Sequence, residues 1–138
     1  PKAIEAGKLF CHGDHENNMK YLLFQDDTKE TFSDMAENDL KLCFVGHTHR
    51  QGFFRADGNM MRIMTEIPFS RYKDNLLIIN PGSVGQPRDG DPKAAYAIVD
   101  ENKVQFRRVS YDIDAAASKI RAEDGLSNYL AERLHKGC

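Results

Sequence analysis

The chain has 138 residues, 41% apolar and 29% charged, with 19 Lys and Arg against 21 Asp and Glu for a formal net charge of -2. That length suits one domain with a real core, and the even charge balance gives no electrostatic reason to expect nucleic acid or an anionic membrane as partner. No apolar run approaches the roughly 20 residues of a membrane helix, residues 1–8 lack an apolar signal core, and the widely spaced Cys11, Cys43 and Cys138 argue against a disulfide framework and for a reducing cytoplasm.

Residue 1 is Pro rather than Met, which suggests a processed chain or part of something longer. Residues 7–11 read as a short buried strand that empties into the polar loop His12-Gly13-Asp14-His15-Glu16-Asn17-Asn18. Residues 19–24 are apolar enough to pack but too short to assign. Phe32, Met35 and Ala36 fall at helical spacing behind Thr28 or Thr31 as N-cap, which predicts a helix to about Asn38. A strand over residues 41–45 follows, and the order strand, helix, strand predicts parallel neighbours joined by a right-handed crossover.

Beyond His49 the pattern becomes antiparallel. Residues 51–55 and 59–65 flank Ala56-Asp57-Gly58, a hairpin signal. Residues 67–74 read as a loop or irregular edge, since Pro68 argues against a central strand. A strand over 76–79 enters a glycine-rich turn, and residues 94–99 and 103–109 form a second hairpin through Asp100-Glu101-Asn102. Asp112 caps a helix over 113–121, Ser127 caps another over 128–134, and Gly125 separates them. The expected fold is an α/β layered sandwich with a mixed sheet, β-hairpins and C-terminal helices, residues 1–138 forming one unit.

Three apolar strands thus end in polar loops: Phe10-Cys11-His12-Gly13, Phe44-Val45-Gly46-His47-Thr48-His49, and Asn80-Pro81-Gly82-Ser83-Val84-Gly85-Gln86-Pro87-Arg88. In open α/β sheets chemistry gathers at the carboxyl ends of strands. Imidazoles at i and i+2 around a turn are half of a plausible transition-metal site, and equally a strand end satisfied by backbone hydrogen bonds. His12 ends a strand of its own and adds to the metal reading; Asp14, His15 and Glu16 serve as further ligands or as a solvated loop, and His135 reads as surface. The glycine-rich loop offers N–H groups to phosphate, with Arg88 as a bidentate partner, or its glycines merely permit positive φ.

Taken together, Gly46-His47-Thr48-His49 and Asn80-Pro81-Gly82-Ser83, following a strand that ends in His12-Gly13, resemble the calcineurin-like metallophosphoesterase superfamily, nearest its small bacterial and archaeal phosphodiesterases. The tail Arg107-Arg108-Val109-Ser110-Tyr111-Asp112 is also similar. The resemblance implies the C-terminal half of an αββα sandwich, with His12 and His47 ligating one divalent ion (Mn, Ni, Zn or Fe) and His49 a second. It also implies a phosphate ester as substrate, with Gly82, Ser83 and Arg88 lining its pocket. The family's aspartate-x-histidine, glycine-aspartate and glycine-asparagine-histidine-aspartate motifs do not occur before His12. Two readings follow: a metal-dependent phosphoesterase carrying only its C-terminal ligand set, or an inactive relative serving as a binding or assembly module. Uncovered sheet edges would then be met by a second copy or by a complementing N-terminal half.

Overall fold

A computed structural model of the chain describes residues 2–58, 61–62, 65–72 and 74–138. The strands are β1 (Lys2–Glu5), β2 (Lys8–Cys11), β3 (Leu42–Phe44), β4 (Gly52–Arg55), β5 (Met61–Arg62), β6 (Glu66–Pro68), β7 (Leu77–Asn80), β8 (Ala94–Val99) and β9 (Lys103–Val109); the α-helices are α1 (Lys29–Glu37), α2 (Ile113–Ala122) and α3 (Asn128–Lys136). They build a mixed six-stranded sheet of order β1-β2-β3-β7-β4-β5 and a three-stranded sheet of order β6-β9-β8. In the larger sheet β2, β3 and β7 are parallel neighbours, while β1 and β4 pair antiparallel with β2 and β7.

Alternation along the central strands sets up two cores. Cys43 and Ile78 point to one face, where they pack with Leu9, Phe32, Met35 and Leu40, so that the apolar side of α1 closes that layer. Their neighbours Phe44, Leu77 and Ile79 point to the other face and meet Ile67, Val104 and Phe106 of the smaller sheet. Strands covered on both faces must be apolar at consecutive positions, which is why residues 42–45 and 76–79 read as unbroken apolar runs.

The expected α/β sandwich with its mixed sheet, both hairpins and the C-terminal helices are present. Asp112 accepts a hydrogen bond from the Ala115 amide at 2.8 Å, and Ser127 from that of Tyr129 at 3.3 Å. Pro68 closes β6 at an outer position of its sheet, as its missing N–H requires. The first hairpin pairs β4 with β5; of its expected second strand, Asn59, Met60, Ile63 and Met64 lie outside the described residues.

Three details differ from expectation. A strand, β1, precedes β2 through a turn in which Ala6 and Gly7 both take positive φ, 48° and 69°. Ala at the first of these positions hides the usual Asn-Gly or Asp-Gly sign of such a hairpin. Thr28 precedes α1, but its hydroxyl donates to the Gln25 carbonyl at 2.6 Å instead of capping the helix; a 3-10 turn, Gln25–Thr28, runs directly into α1. Asp14 is not part of a solvated loop: it is buried, accepts the amides of Glu16 and Asn17 at 2.9 and 2.6 Å, and pairs with Lys20 at 2.9 Å. No helix among the described residues is long and apolar enough to cross a membrane.

Candidate metal centre

Because β2, β3 and β7 run in parallel side by side, their carboxyl ends share one rim of the sheet. His12 leaves β2, the segment from Gly46 to His49 leaves β3, and Asn80 ends β7. The Gly46 amide donates to the His12 carbonyl at 2.9 Å, which ties the first two loops together. Asn80 ties in the third. Its buried amide donates to the Gly46 carbonyl at 2.8 Å and to Thr48 Oγ1 at 2.9 Å, while its Oδ1 accepts the Gly82 amide at 2.9 Å. Only a side chain with both donor and acceptor ends makes all three bonds.

The turn between β3 and β4 is strained. Thr48 N–H donates to the Gly46 carbonyl at 2.6 Å, enclosing His47 in a three-residue γ-turn with φ 59°, and His49 follows at φ 58°. Positive φ at a bulky residue costs on the order of 1–3 kcal/mol and clusters at functional sites. The strain has a measurable consequence. His47→Gly should fold more stably than His47→Ala by about 1 kcal/mol, the reverse of the order seen in regular structure. Urea denaturation of the two variants compares them, and an Ala variant as stable as the Gly variant would contradict the left-handed turn.

What the strain secures is imidazole placement. His47 Nε2 lies 3.1 Å from the Met19 carbonyl and must donate to it, so in neutral His47 the lone pair sits on Nδ1. That Nδ1 faces His12 Nε2 at 3.1 Å, and Tyr21 stacks on the His47 ring with centroids 4.0 Å apart. Two nitrogens each about 2.1 Å from one ion stand roughly 2.9–3.4 Å apart for right-angle to tetrahedral geometry. The observed separation lies inside that window, so the pair fits a single cation once His12 Nε2 has lost its proton.

His49 is oriented separately. Its Nδ1 donates to the Gln86 carbonyl at 2.7 Å, leaving Nε2 as the free lone pair. Burial lowers its pKa; the Gln86 carbonyl opposes this, while Arg88 and the other two rim histidines reinforce it, and the neutral ring is favoured. His49 stays apart from the His12–His47 pair, and among the described residues no His, Cys, Asp or Glu completes a group of three able to hold a metal ion.

The glycine-rich loop is bound up in its own structure. Gly82 N–H is taken by Asn80, and Ser83 Oγ accepts the Gln86 amide at 3.0 Å. Arg88 fastens to Gln86 Oε1 through Nε and Nη2, at 3.0 and 2.6 Å, and its amide donates to the His49 carbonyl at 3.0 Å. The guanidinium therefore belongs to the histidine rim, whereas Gly82 and Ser83 shape the turn beneath it. His15 lies 3.3 Å from Thr31 against α1, Glu16 is exposed, and the exposed His135 approaches Asp114 at 3.6 Å. Tyr21 and the carbonyls of Met19 and Gln86 had no sequence signal, since a backbone oxygen has no residue-type signature. A cavity of about 710 Å³ opens at the other end of β3 and β7, beside Lys41, Leu42 and Lys103, remote from the imidazoles.

A model of the calcineurin-like phosphoesterase superfamily domain matches residues 5–103. The chain belongs to this superfamily. Similar to it are the uncharacterized protein MJ0912 of Methanocaldococcus jannaschii, 39% identical over 133 residues that make up 94% of this chain and 51% of that protein, and a metallophosphoesterase crystal structure from Sphaerobacter thermophilus. The latter superposes with a TM-score of 0.88 at 33% identity, over 99% of this chain and 57% of that one. The hypothetical protein PH1004 of Pyrococcus horikoshii OT3 shares the fold, with a TM-score of 0.64 at 18% identity over 95% of this chain and 46% of its own. The chain thus spans about half the length of the relatives it matches.

Proposed function

We propose that this chain carries the histidine half of the metal centre of a phosphoric ester hydrolase. The observation that carries the reading is the 3.1 Å separation of His12 Nε2 and His47 Nδ1 on a strained turn of a superfamily member. His12 and His47 would hold one divalent cation and His49 a second, with nitrogen ligands favouring Ni or Zn over Mn, and Fe between them. The chemistry such a cation supplies is Lewis-acid polarisation of the phosphoryl group. The chain's own contribution is orientation. The Met19 and Gln86 carbonyls hold the protons on His47 Nε2 and His49 Nδ1, which leaves the lone pairs of His47 Nδ1 and His49 Nε2 for ligands. Arg88, beside His49, would engage a phosphate oxygen of the ester, and Gly82 and Ser83 would form the floor of the pocket.

A second reading has an observation of its own. The His12–His47 pair is satisfied by its mutual hydrogen bond, and no third ligand joins it among the described residues. That favours a catalytically silent module when the chain stands alone. Calorimetric titration with Ni²⁺ and Mn²⁺, alongside hydrolysis of bis-para-nitrophenyl phosphate, separates the two. Binding of an ion that weakens at least tenfold in both His12→Ala and His47→Ala supports the metal centre, and turnover lost in the same variants supports the hydrolase. Affinity unchanged by either substitution would overturn the site.

A further inference from the structure

Cys11 and Cys43 are both free thiols, and their sulfurs lie 3.7 Å apart. The register of β2 and β3 sets Leu9 beside Cys43, so Cys11, two residues further on, shares the same face of the sheet and stands diagonal to Cys43. Both belong to the layer that α1 closes, Cys43 buried and Cys11 half-buried. A single buried thiol packs as a small apolar side chain and needs no further account. Two sulfurs in contact can do what neither does alone, which is to bond to each other.

Joining them requires that they close from 3.7 Å to a bond of about 2.05 Å. The two sides differ in freedom. Cys43 is the middle residue of β3 and is held between β2 and β7. Cys11 is the last residue of β2, and the chain leaves the sheet at His12 and Gly13 directly after it. The shift therefore falls on Cys11 and carries His12 along. The Cys11 thiol also donates to the Gly13 carbonyl at 3.7 Å, a contact that ends once the sulfur has lost its hydrogen. Nor can the loop absorb the movement by itself, since a Cβ built at Gly13 would stand 2.5 Å from the Asn17 carbonyl oxygen. His12 Nε2 and His47 Nδ1, 3.1 Å apart, tolerate only a few tenths of an ångström before they leave the range for one shared ion.

We propose that Cys11 and Cys43 are a redox-active dithiol, oxidised by hydrogen peroxide to a disulfide that draws His12 away from His47. Cys11, the more exposed of the two, is the sulfur that peroxide reaches. Its thiolate attacks one peroxide oxygen, the O–O bond breaks, and the sulfur becomes a sulfenic acid while the other oxygen takes up a proton and leaves as water. Cys43 Sγ then attacks Cys11 Sγ and gives its proton to the departing hydroxyl, which leaves as a second water. Two thiols and one peroxide thus yield one disulfide and two waters, with two electrons passing from sulfur to oxygen. A dithiol reductant reverses the link by exchange. The link itself involves no metal; its effect on a bound cation rests on the metal reading above.

The test treats the Cys138→Ser chain, which lacks the exposed third thiol, with hydrogen peroxide in slight excess. Expected are a mass lower by two hydrogen atoms, a peptide cross-linked between Cys11 and Cys43, and recovery of both thiols with dithiothreitol. In Cys43→Ala, oxidation should stop at a sulfenic acid on Cys11, trapped by dimedone, with no link. In the metal-free chain the His12 imidazole resonances should shift on oxidation, and those of His135 on α3 should not. Ni²⁺ affinity should fall at least tenfold in the oxidised chain, return with dithiothreitol, and ignore peroxide in Cys11→Ser. If the reduced chain bound no Ni²⁺, the metal reading would fall, and the dithiol would still be decided by the cross-link and the His12 shift. No cross-link at a peroxide dose that oxidises Cys138 in the unsubstituted chain, or a cross-link that leaves the His12 resonances in place, overturns the proposal.

Discussion

Replacing Arg108 by Ala should lower the unfolding free energy by about 3–5 kcal/mol, the usual effect of stranding one partner of a buried ion pair. The Arg108 guanidinium donates to Asp89 Oδ2, to Gln51 Oε1 at 3.3 Å and to the carbonyls of Asp91 and Lys93 at 3.2 and 3.3 Å. Asp89 in turn accepts the Gln51 amide at 2.9 Å. Both charged side chains are largely buried, 16% and 10% exposed. One arginine on β9 therefore clamps the loop that follows β7 and, through Gln51, the start of β4. Asp89→Asn combined with Arg108→Met should lose less than the sum of the single losses, because no uncompensated charge is left inside. Chemical denaturation of the four proteins completes the cycle, and strict additivity would exclude the clamp.

The same pair predicts acid lability. Burial raises the Asp89 pKa, but the Arg108 hydrogen bond and charge and the Gln51 amide outweigh it, and the net value lies below the ordinary 3.8. The unfolded chain then binds its proton at higher pH than the folded one, so stability rises with pH across that window. The contribution is complete above the ordinary carboxylate value and disappears as pH falls through the folded value. Arg108→Met should flatten the acid limb of a stability-against-pH curve.

Gly82→Val should cost about 2–5 kcal/mol. Gly82 has φ 90°, and a Cβ built there would stand 2.7 Å from the Ala95 Cβ and 3.3 Å from the Gln51 Cβ. A left-handed β-carbon costs about 1–2 kcal/mol, and forcing atoms into packed space about 1–3 kcal/mol more. The neighbours cannot yield easily, since Ala95 belongs to β8 and Gln51 is tied to Asp89. Gly85→Val is the control: it has ordinary φ and no neighbour within 4 Å, so its change should stay within about 0.5 kcal/mol. Thermal denaturation of both variants decides, and equal losses would contradict the close approach of loop and β8. Gly82 thus makes contact through the space it leaves empty, a role that serves the rim whether or not its amide ever meets a ligand.

Local signals made most of the fold legible. The caps at Asp112 and Ser127, the turn around Asp100 and the apolar runs at residues 42–45 and 76–79 each carry their chemistry within a few residues. The meeting of three strand ends was readable because the apolar runs gave way to polar, glycine-containing loops at His12-Gly13, Gly46-His47 and Asn80-Pro81-Gly82. Missed features depend on distant or backbone partners. Nothing beside Tyr21 announces that it will stack on His47, and nothing in Gln86 or Met19 tells that their carbonyls orient imidazoles. Asp14 looked like one more polar loop residue, and only the folded position of Lys20 shows it to be a buried knot. Asn80 was legible as part of a loop motif, yet its work is to link three loops, which only the register of β7 against β3 reveals.

That register couples packing to chemistry. Ile78 feeds the helix-side layer and Ile79 the layer between the sheets, and Asn80 comes next. Deleting one residue within β7 would reverse which way each of these side chains points. The two greasy layers would trade members, and the Asn80 amide would swing off the histidine turn in the same stroke. A frameshift of one position in this strand cannot therefore yield a folded protein with a misaligned centre; structure and imidazole geometry should be lost together.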